Sequence, residues 1–348
     1  MRLAFVSPCF HDKHYGGIQL TARLALQGLR GSSLGNTDIL CYGPKCSEAA
    51  GSAGGFCSHS KAEAAVRALR FRGRSDYLLF WHLHLLSLMP LIGTRGKRTY
   101  LFLHGIEAWC SVSGMMRRFL DQIDVFLTNS DFTWQRFVEM HPQWARAEHR
   151  TVHLGVGEPE TRIDRPGDVP AAVIVARMMR AEGYKGHVEL VKAWPVVLER
   201  VPNAELWVVG GGDAGDDLRD LAFATGVGGK VRFFGVVSDE EKQRLLQRSR
   251  CLVLPSRGEG FGLVYLEAMR LGRPCLASIY DAGQEVISPP QAGISVDPSD
   301  TEGLAEAVTQ LLTPGAAWQQ QSENARRRYE ESFTAAHFQR RLLDALAN

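Results

Sequence analysis

A chain of 348 residues exceeds what one hydrophobic core usually serves, so two domains are the natural expectation. With 45% hydrophobic and 22% charged residues the composition is that of a globular enzyme, and a net charge of +2 speaks against a dedicated nucleic-acid binder, which needs a concentrated basic surface. No run approaches the roughly 18 to 20 uninterrupted apolar residues of a membrane span.

The opening run Met1-Arg2-Leu3-Ala4-Phe5-Val6-Ser7 is too short for a signal peptide's apolar core and is followed by Asp12, Lys13 and His14, so it reads as the first core strand. Leu3 to Ser7, Asp38 to Tyr42, Tyr77 to Trp81, Thr99 to Leu103 and Asp124 to Thr128 are predicted strands separated by helical stretches. A second series comprises Ala171 to Ala176, Glu205 to Val209, Val231 to Phe234, Cys251 to Leu254, Pro274 to Ala277 and Gly293 to Val296. Such alternation predicts an α/β chain with two Rossmann-like units. Gly155 to Pro170, rich in Gly, Pro and charge, reads as the linker, and helices are expected near 301–312, 316–331 and 335–346. The seven cysteines, an odd number without metal-ligand spacing, predict reduced thiols in a cytoplasmic protein.

Several strand-to-helix loops carry polar residues. His11 to Gln19 contains Gly16 and Gly17, whose pairing permits close backbone approach, although a bare turn explains it equally. His82 and His84 would share a face of an extended segment, yet no third ligand completes a metal site. Arg67, Arg70, Arg72 and Arg74, with Met115 to Leu120, supply either a membrane-facing surface or ordinary solvated helix faces. In His104-Gly105-Ile106-Glu107-Ala108-Trp109, the histidine is able to donate to a hydroxyl, relay a proton or simply satisfy its loop. Asp121 and Asp124 read as helix-end and strand-start residues, and Asn129-Ser130-Asp131 as a helix cap.

In the second half, Arg177 ends a strand and Lys185 precedes a helix, so folding of their loop would bring two cations together at the strand's carboxyl edge, where open α/β sheets bind ligands. Paired cations there would stabilise a departing diphosphate; cations on a surface loop are the plainer alternative. Gly210-Gly211-Gly212-Asp213 follows a buried strand, and Ser238 is placed to cap the helix carrying Asp239, Glu240 and Glu241. The densest run is Pro255-Ser256-Arg257-Gly258-Glu259-Gly260-Phe261-Gly262-Leu263 through Met269. Its glycines allow a tight turn, and a helix starting near Gly262 would aim free N–H groups and a positive dipole end at a diphosphate. Glu259 would stand in the loop and Glu267 in the second helical turn, so that both carboxylates would face one cleft.

This run, continued through Arg270 to Ser278, closely resembles the donor-site signature of retaining family 4 glycosyltransferases with the GT-B fold, in which two Rossmann-like domains have parallel sheets facing a central cleft. The resemblance extends in order over almost the whole chain. It implies an acceptor-binding domain over residues 1–160, a donor-binding domain over 161–332, and a last helix, about 333–348, crossing back to the first. By the same resemblance Arg177 and Lys185 stabilise the leaving diphosphate, with Arg180 a lesser contributor, Glu259 positions the sugar, and Glu267 holds the ribose. His104 would line the centre near the transferred sugar, with Glu107 and Trp109 on the acceptor side. Gly16 and Gly17 would face the donor diphosphate, Gly210 and Gly211 the nucleotide, Val237 the base, and Gly260, Phe261, Gly262 and Leu263 would line the donor turn. Asp281-Ala282-Gly283-Gln284-Glu285 departs from the family's commoner Gly-Gly-x-x-Glu form.

The implied activity is retaining transfer from a nucleotide sugar, a UDP- or GDP-sugar, to a carbohydrate or lipid-linked saccharide in cell-surface polysaccharide, lipopolysaccharide or glycolipid synthesis. The resemblance implies neither metal nor other cofactor, no nucleic-acid partner, and a cytoplasmic place with peripheral contact at the inner face of the membrane. A phosphorylase or epimerase on the same fold, or a sugar-nucleotide-binding protein without turnover, would share this architecture.

Overall fold

A computed structural model describes residues 2–9, 16–32, 36–42, 55–58 and 60–347. Its contacts divide the chain into two compact units, Met1–Val156 with Ala335–Asn348, and Gly157–Thr334. The stretch read as a linker packs largely with the second unit: Gly167 N donates to Arg248 O at 2.9 Å, and the buried Arg273 donates to Asp164 O at 2.7 Å.

The first unit runs β1 (Arg2–Pro8), α1 (Gly17–Arg30), β2 (Asn36–Tyr42), β3 (Gly55–Ser58), α2 (Lys61–Arg70), β4 (Tyr77–Phe80), α3 (Met89–Ile92), β5 (Arg98–Leu103), α4 (Gly114–Leu120), β6 (Val125–Thr128), α5 (Asp131–Met140) and β7 (Glu148–Thr151). Its sheet is wholly parallel in the order β3-β2-β1-β4-β5-β6-β7. Sequence periodicity missed β3 and β7. The latter, Glu-His-Arg-Thr, is partly exposed throughout and is recruited by pairing with β6 rather than by burial. The central strands are continuous buried apolar runs, as a sheet covered on both faces requires.

The second unit runs β8 (Ala171–Val175), α6 (His187–Arg200), β9 (Glu205–Val209), α7 (Gly215–Ala224), β10 (Val231–Gly235), α8 (Asp239–Arg248), β11 (Cys251–Leu254), α9 (Leu263–Arg270), β12 (Cys275–Ser278), α10 (Gly283–Ile287), β13 (Gly293–Val296), α11 (Thr301–Leu312) and α12 (Ala316–Ser332). Its parallel sheet has the order β10-β9-β8-β11-β12-β13. In both sheets the chain winds outward from one strand, returns, and continues on its other side. The topological switch points therefore lie between β1 and β4 and between β8 and β11, where loops leaving the carboxyl ends diverge and leave room for a ligand. The final helix, α13 (Ala335–Ala347), belongs to the first unit, where Gln339 donates to Leu24 O at 3.0 Å and Phe338 meets Trp81 with ring centroids 6.2 Å apart.

Cys41, Cys110, Cys251 and Cys275 carry free thiols, whereas Cys9 is disulfide-bonded, which corrects the expectation that every cysteine is reduced. Among the described residues, no helix is long and apolar enough to cross a membrane.

Candidate functional site

At the second switch point, the loops after β8 and β11 are tied together. Arg257 N donates to Tyr184 O at 2.8 Å, the Arg257 guanidinium pairs with Glu189 at 2.7 Å, and Lys185 Nζ meets Glu259 Oε1 at 2.5 Å. The Lys185 and Glu259 side chains are only 15% and 14% exposed. Burial works to lower the Lys185 ammonium's pKa, but the charge and hydrogen bond of Glu259 overcome it and hold the lysine above its ordinary value. A fixed, charged, largely dehydrated pair thus stands where the topology opens a crevice.

Glu259 is framed on its backbone side by the segment that departs from the family pattern. Asp281 is buried; its Oδ1 accepts from Gly283 N at 2.8 Å and its Oδ2 from Glu259 N at 3.4 Å, while Ala282 N donates to Glu259 O at 3.1 Å. Burial, reinforced by the Glu259 charge, pushes the Asp281 carboxyl well above the usual carboxylate range. This segment therefore holds the Glu259 backbone in place.

Arg177 lies in the same loop as Lys185 but is 71% exposed and pairs with Glu182 at 2.5 Å. The loop spacing predicted two cations at the strand's carboxyl edge but not their partners: each carries its own acid, Glu182 for Arg177 and Glu259 for Lys185. Tyr184 senses both, since burial raises its hydroxyl's pKa while the Lys185 and Arg177 charges oppose the rise. Arg180 turns outward to Asp217 at 2.8 Å.

The turn after β9 has a second function beyond any ligand approach. A Cβ on Gly210 would stand 2.0 Å from Ala176 O, and one on Gly212 would stand 2.0 Å from Met178 O. Backbone hydrogen bonds from Ala176 N to Val209 O at 3.0 Å and from Met178 N to Gly211 O at 2.9 Å lock the segments side by side. These glycines let the chain approach itself, and Gly211 packs close to Val236.

Helix α9 begins as its sequence predicts. Gly262 takes a left-handed conformation, φ +82°, that turns the backbone sharply into the helix without a side-chain cap. Phe261 is buried against Phe333, Gly260 and Leu263 are partly buried, and the first N–H groups of the helix head the turn. Glu267 pairs with Lys242 of α8 at 2.9 Å. Ser238 caps α8, accepting from Glu241 N at 3.2 Å directly after the half-buried Val237.

Sequence reasoning missed Lys242, because its partner lies on another helix. It also missed His187, the first residue of α6, which is buried with an unpartnered Nε2. Burial, then the Lys185 charge, lowers its pKa to about 4, so this histidine is neutral beside the ion pair.

The first unit presents a different arrangement at its carboxyl edge. His104 follows β5 and is stacked on Phe102 and edge-on to Trp81, with ring centroids 4.7 and 5.4 Å away. Its Nε2 lies 2.8 Å from Trp81 O. A carbonyl only accepts, so Nε2 carries the proton; burial lowers the ring's pKa to about 4, leaving Nδ1 as an acceptor. Donation or proton relay through Nε2 is thereby taken up by the fold. Glu107 accepts from His104 N at 2.5 Å, closing this turn, and Asn129 donates to His104 O at 2.7 Å. Trp109 donates to Thr133 O at 3.3 Å.

His82 and His84 do not share an extended segment: His82 is the extended cap of a 3-10 helix, Leu83–Leu88, that contains His84, and its Nδ1 accepts from His84 N at 3.2 Å. Ser130 caps α5, accepting from Thr133 N at 3.0 Å; Asp124 accepts from Thr99 N at 2.7 Å, and Asp121 accepts from Trp144 Nε1 at 3.1 Å. Gly16 precedes α1 and accepts from Gln19 N and Leu20 N at 3.1 Å, and Gly17 opens the helix. The rest of that loop, residues 10–15, lies outside the described residues. Among the described residues, no group of three or more His, Cys, Asp or Glu side chains is placed to hold a metal ion.

Residues 164–328, nearly all of the second unit, match the family model of glycosyl transferases group 1. The chain is 35% identical to O-antigen chain mannosyltransferase C of Escherichia coli over 144 residues, covering 40% of this chain and 38% of that one. It is 26% identical to the lipopolysaccharide core biosynthesis glycosyltransferase LpsE of Rhizobium meliloti over 256 residues, covering 71% of this chain and 68% of that one. The chain spans 33% to 59% of the length of other curated relatives that it matches. Among solved structures, Anabaena HepE in complex with UDP and glucose superposes with a TM-score of 0.76 over 99% of both chains at 14% identity. The fold is GT-B.

Proposed function

We propose that this protein is a retaining glycosyltransferase, with a nucleotide-sugar donor held on the second unit and a saccharide or lipid-linked saccharide acceptor on the first. The observation carrying this reading is the dehydrated Lys185–Glu259 pair at the β8/β11 switch point, on the unit that matches glycosyl transferases group 1. Loss of a nucleoside diphosphate concentrates negative charge on the leaving oxygens. A preorganised cation in a water-poor site stabilises that charge more in the transition state than before it. Lys185 has this role, assisted by Arg177, and the first N–H groups of α9 add their dipole. Glu259 accepts hydroxyls of the transferred sugar, Glu267 those of the ribose, and Val237 meets the base.

His104, fixed as a neutral acceptor at Nδ1, orients a sugar hydroxyl. Same-face attack, with a leaving-phosphate oxygen taking the acceptor's proton, accounts for retention without a covalent nucleophile. The relatives' names support a place in cell-surface polysaccharide or lipopolysaccharide synthesis, and HepE's ligands support a UDP-sugar, with a GDP-sugar the alternative donor. Met115, 67% exposed beside Arg117 and Arg118, supports peripheral contact with an anionic membrane.

The test is turnover of a UDP- and GDP-sugar panel with EDTA present, comparing wild type with Glu259→Ala and Lys185→Ala. Metal-independent release of one nucleotide, lost in both variants, supports the reading. Variants that turn over like wild type would sink it.

A further inference from the structure

Lys242 stands one turn into α8, and Glu267 one turn into α9; the two helices follow the carboxyl ends of β10 and β11. Lys242 Nζ is 2.9 Å from Glu267 Oε1 and 3.1 Å from Asp239 Oδ1. Its side chain and that of Glu267 are each about three-quarters buried, at 24% and 25% exposure. The ammonium is thereby held from two sides, and α8 itself is pinned at its start by the Ser238 cap. Only one oxygen of Glu267 is used: among the described residues Oε2 accepts no hydrogen bond.

We propose that Lys242 is a positioning residue of the nucleotide site, fixing Glu267 through Oε1 so that Oε2 is turned to the ribose hydroxyls. This rests on the nucleotide-sugar reading above and deepens it. Two physical needs meet in the lysine. A carboxylate on a flexible side chain must be oriented before it discriminates a hydroxyl from a hydrogen, since each freely rotating group must be ordered on binding. A bare carboxylate beside a nucleoside diphosphate also repels it, whereas one already paired with an ammonium accepts a hydroxyl without that penalty. The second unit meets both needs twice, with Lys185 on Glu259 and Lys242 on Glu267.

The experiment is calorimetric titration of the full chain with UDP and GDP and with their 2′-deoxy and 3′-deoxy forms, for wild type, Glu267→Gln, Lys242→Met and Lys242→Arg. Thermal unfolding of each variant is followed in parallel. Wild type is expected to prefer a ribose diphosphate over its deoxy forms by about tenfold, the worth of one well-made hydrogen bond. Lys242→Met should bind the ribose form about tenfold more weakly and lose most of the discrimination, and Lys242→Arg should restore it. A purely structural lysine would lower the unfolding temperature while leaving the ribose preference intact.

If Glu267→Gln loses the preference but Lys242→Met keeps it, the lysine proposal is overturned and the nucleotide site stands. If wild type binds neither diphosphate, the parent reading fails and takes this one with it. Should Lys242→Met not fold, Lys242→Gln, uncharged and one atom too short to make the Nζ contact with Glu267, decides between the same outcomes.

Discussion

The two units share strand order around their switch points yet dress the carboxyl edges with opposite chemistry. In the first, the prominent polar group is a neutral histidine locked by a carbonyl, an amide side chain and flanking aromatic rings. In the second, two acids each sit against a lysine, Lys185–Glu259 and Lys242–Glu267, drawn from elements far apart in sequence. The topology leaves room for a ligand at both switch points, and the side chains there decide what would fit. A neutral, acceptor-bearing edge suits a hydroxylated sugar, and a charge-paired edge suits an anion attached to hydroxylated rings.

Substitutions at the charged edge should break this contrast most. Glu259→Ala or Lys185→Ala is expected to cut turnover about thousandfold and to destabilise the second unit, because the remaining partner is left buried without its counter-charge. Single-turnover kinetics with matched thermal unfolding separates the two effects, and near-normal turnover in either variant would remove the pair from the chemistry.

Next is Gly212→Ala, which drives a Cβ to 2.0 Å from Met178 O at φ +155°. It should cost the second unit about 3 kcal/mol, measured by urea unfolding, while leaving hydrogen-exchange protection in the first unit unchanged.

Acid should sharpen the contrast in the other direction. His104 and His149 in the first unit and His187 in the second are held neutral with pKa values near 4, chiefly by burial. Between the ordinary histidine value and about 4, the unfolded chain binds protons that the folded one refuses, so stability falls as pH is lowered through that window. The limit is about 1.4 kcal/mol per pH unit for each ring, approached by the buried His104 and His187 and less closely by the partly buried His149. Exchange protection should decline more steeply in the first unit, and His104→Gln should flatten its slope; equal slopes in both units would contradict the assignment. The smallest effect is expected for Arg180→Ala, whose pair with Asp217 is solvent-exposed: turnover should stay within about twofold of wild type, with the unfolding temperature unchanged.

Legibility from sequence followed the physics of each element. Fully buried parallel strands such as Cys251–Leu254 announce themselves as apolar runs, and the glycine before Leu263 marks its helix start. An edge strand such as Glu148–Thr151 has no such pattern, because a neighbour's hydrogen bonds, not burial, hold it. At the site, Lys185, Glu259 and Glu267 stood out in the sequence, but Lys242 and the pairing of acids with lysines did not. Lys185 meets Glu259 across 74 residues and Lys242 meets Glu267 across 25, distances over which no local periodicity operates. The glycine turn Gly210–Gly212 was legible as a turn after a buried strand, but not that Gly210 and Gly212 let it lie against the protein's own backbone at Ala176 and Met178.

The return of α13 to the first unit bears on how the chain is made. Leu24 O and Tyr100, both in the first unit, take hydrogen-bond partners from residues 339 and 346, so this unit's packing stays unfinished while all of Gly157–Thr334 is still being synthesised. On a ribosome the second unit is able to close as soon as its own residues emerge, whereas the first must wait with the α13-facing side of α1 uncovered. A nascent chain with all of Gly157–Thr334 outside the ribosome and α13 still inside should therefore protect the later-encoded unit from protease sooner than the earlier one, inverting the usual order of co-translational folding.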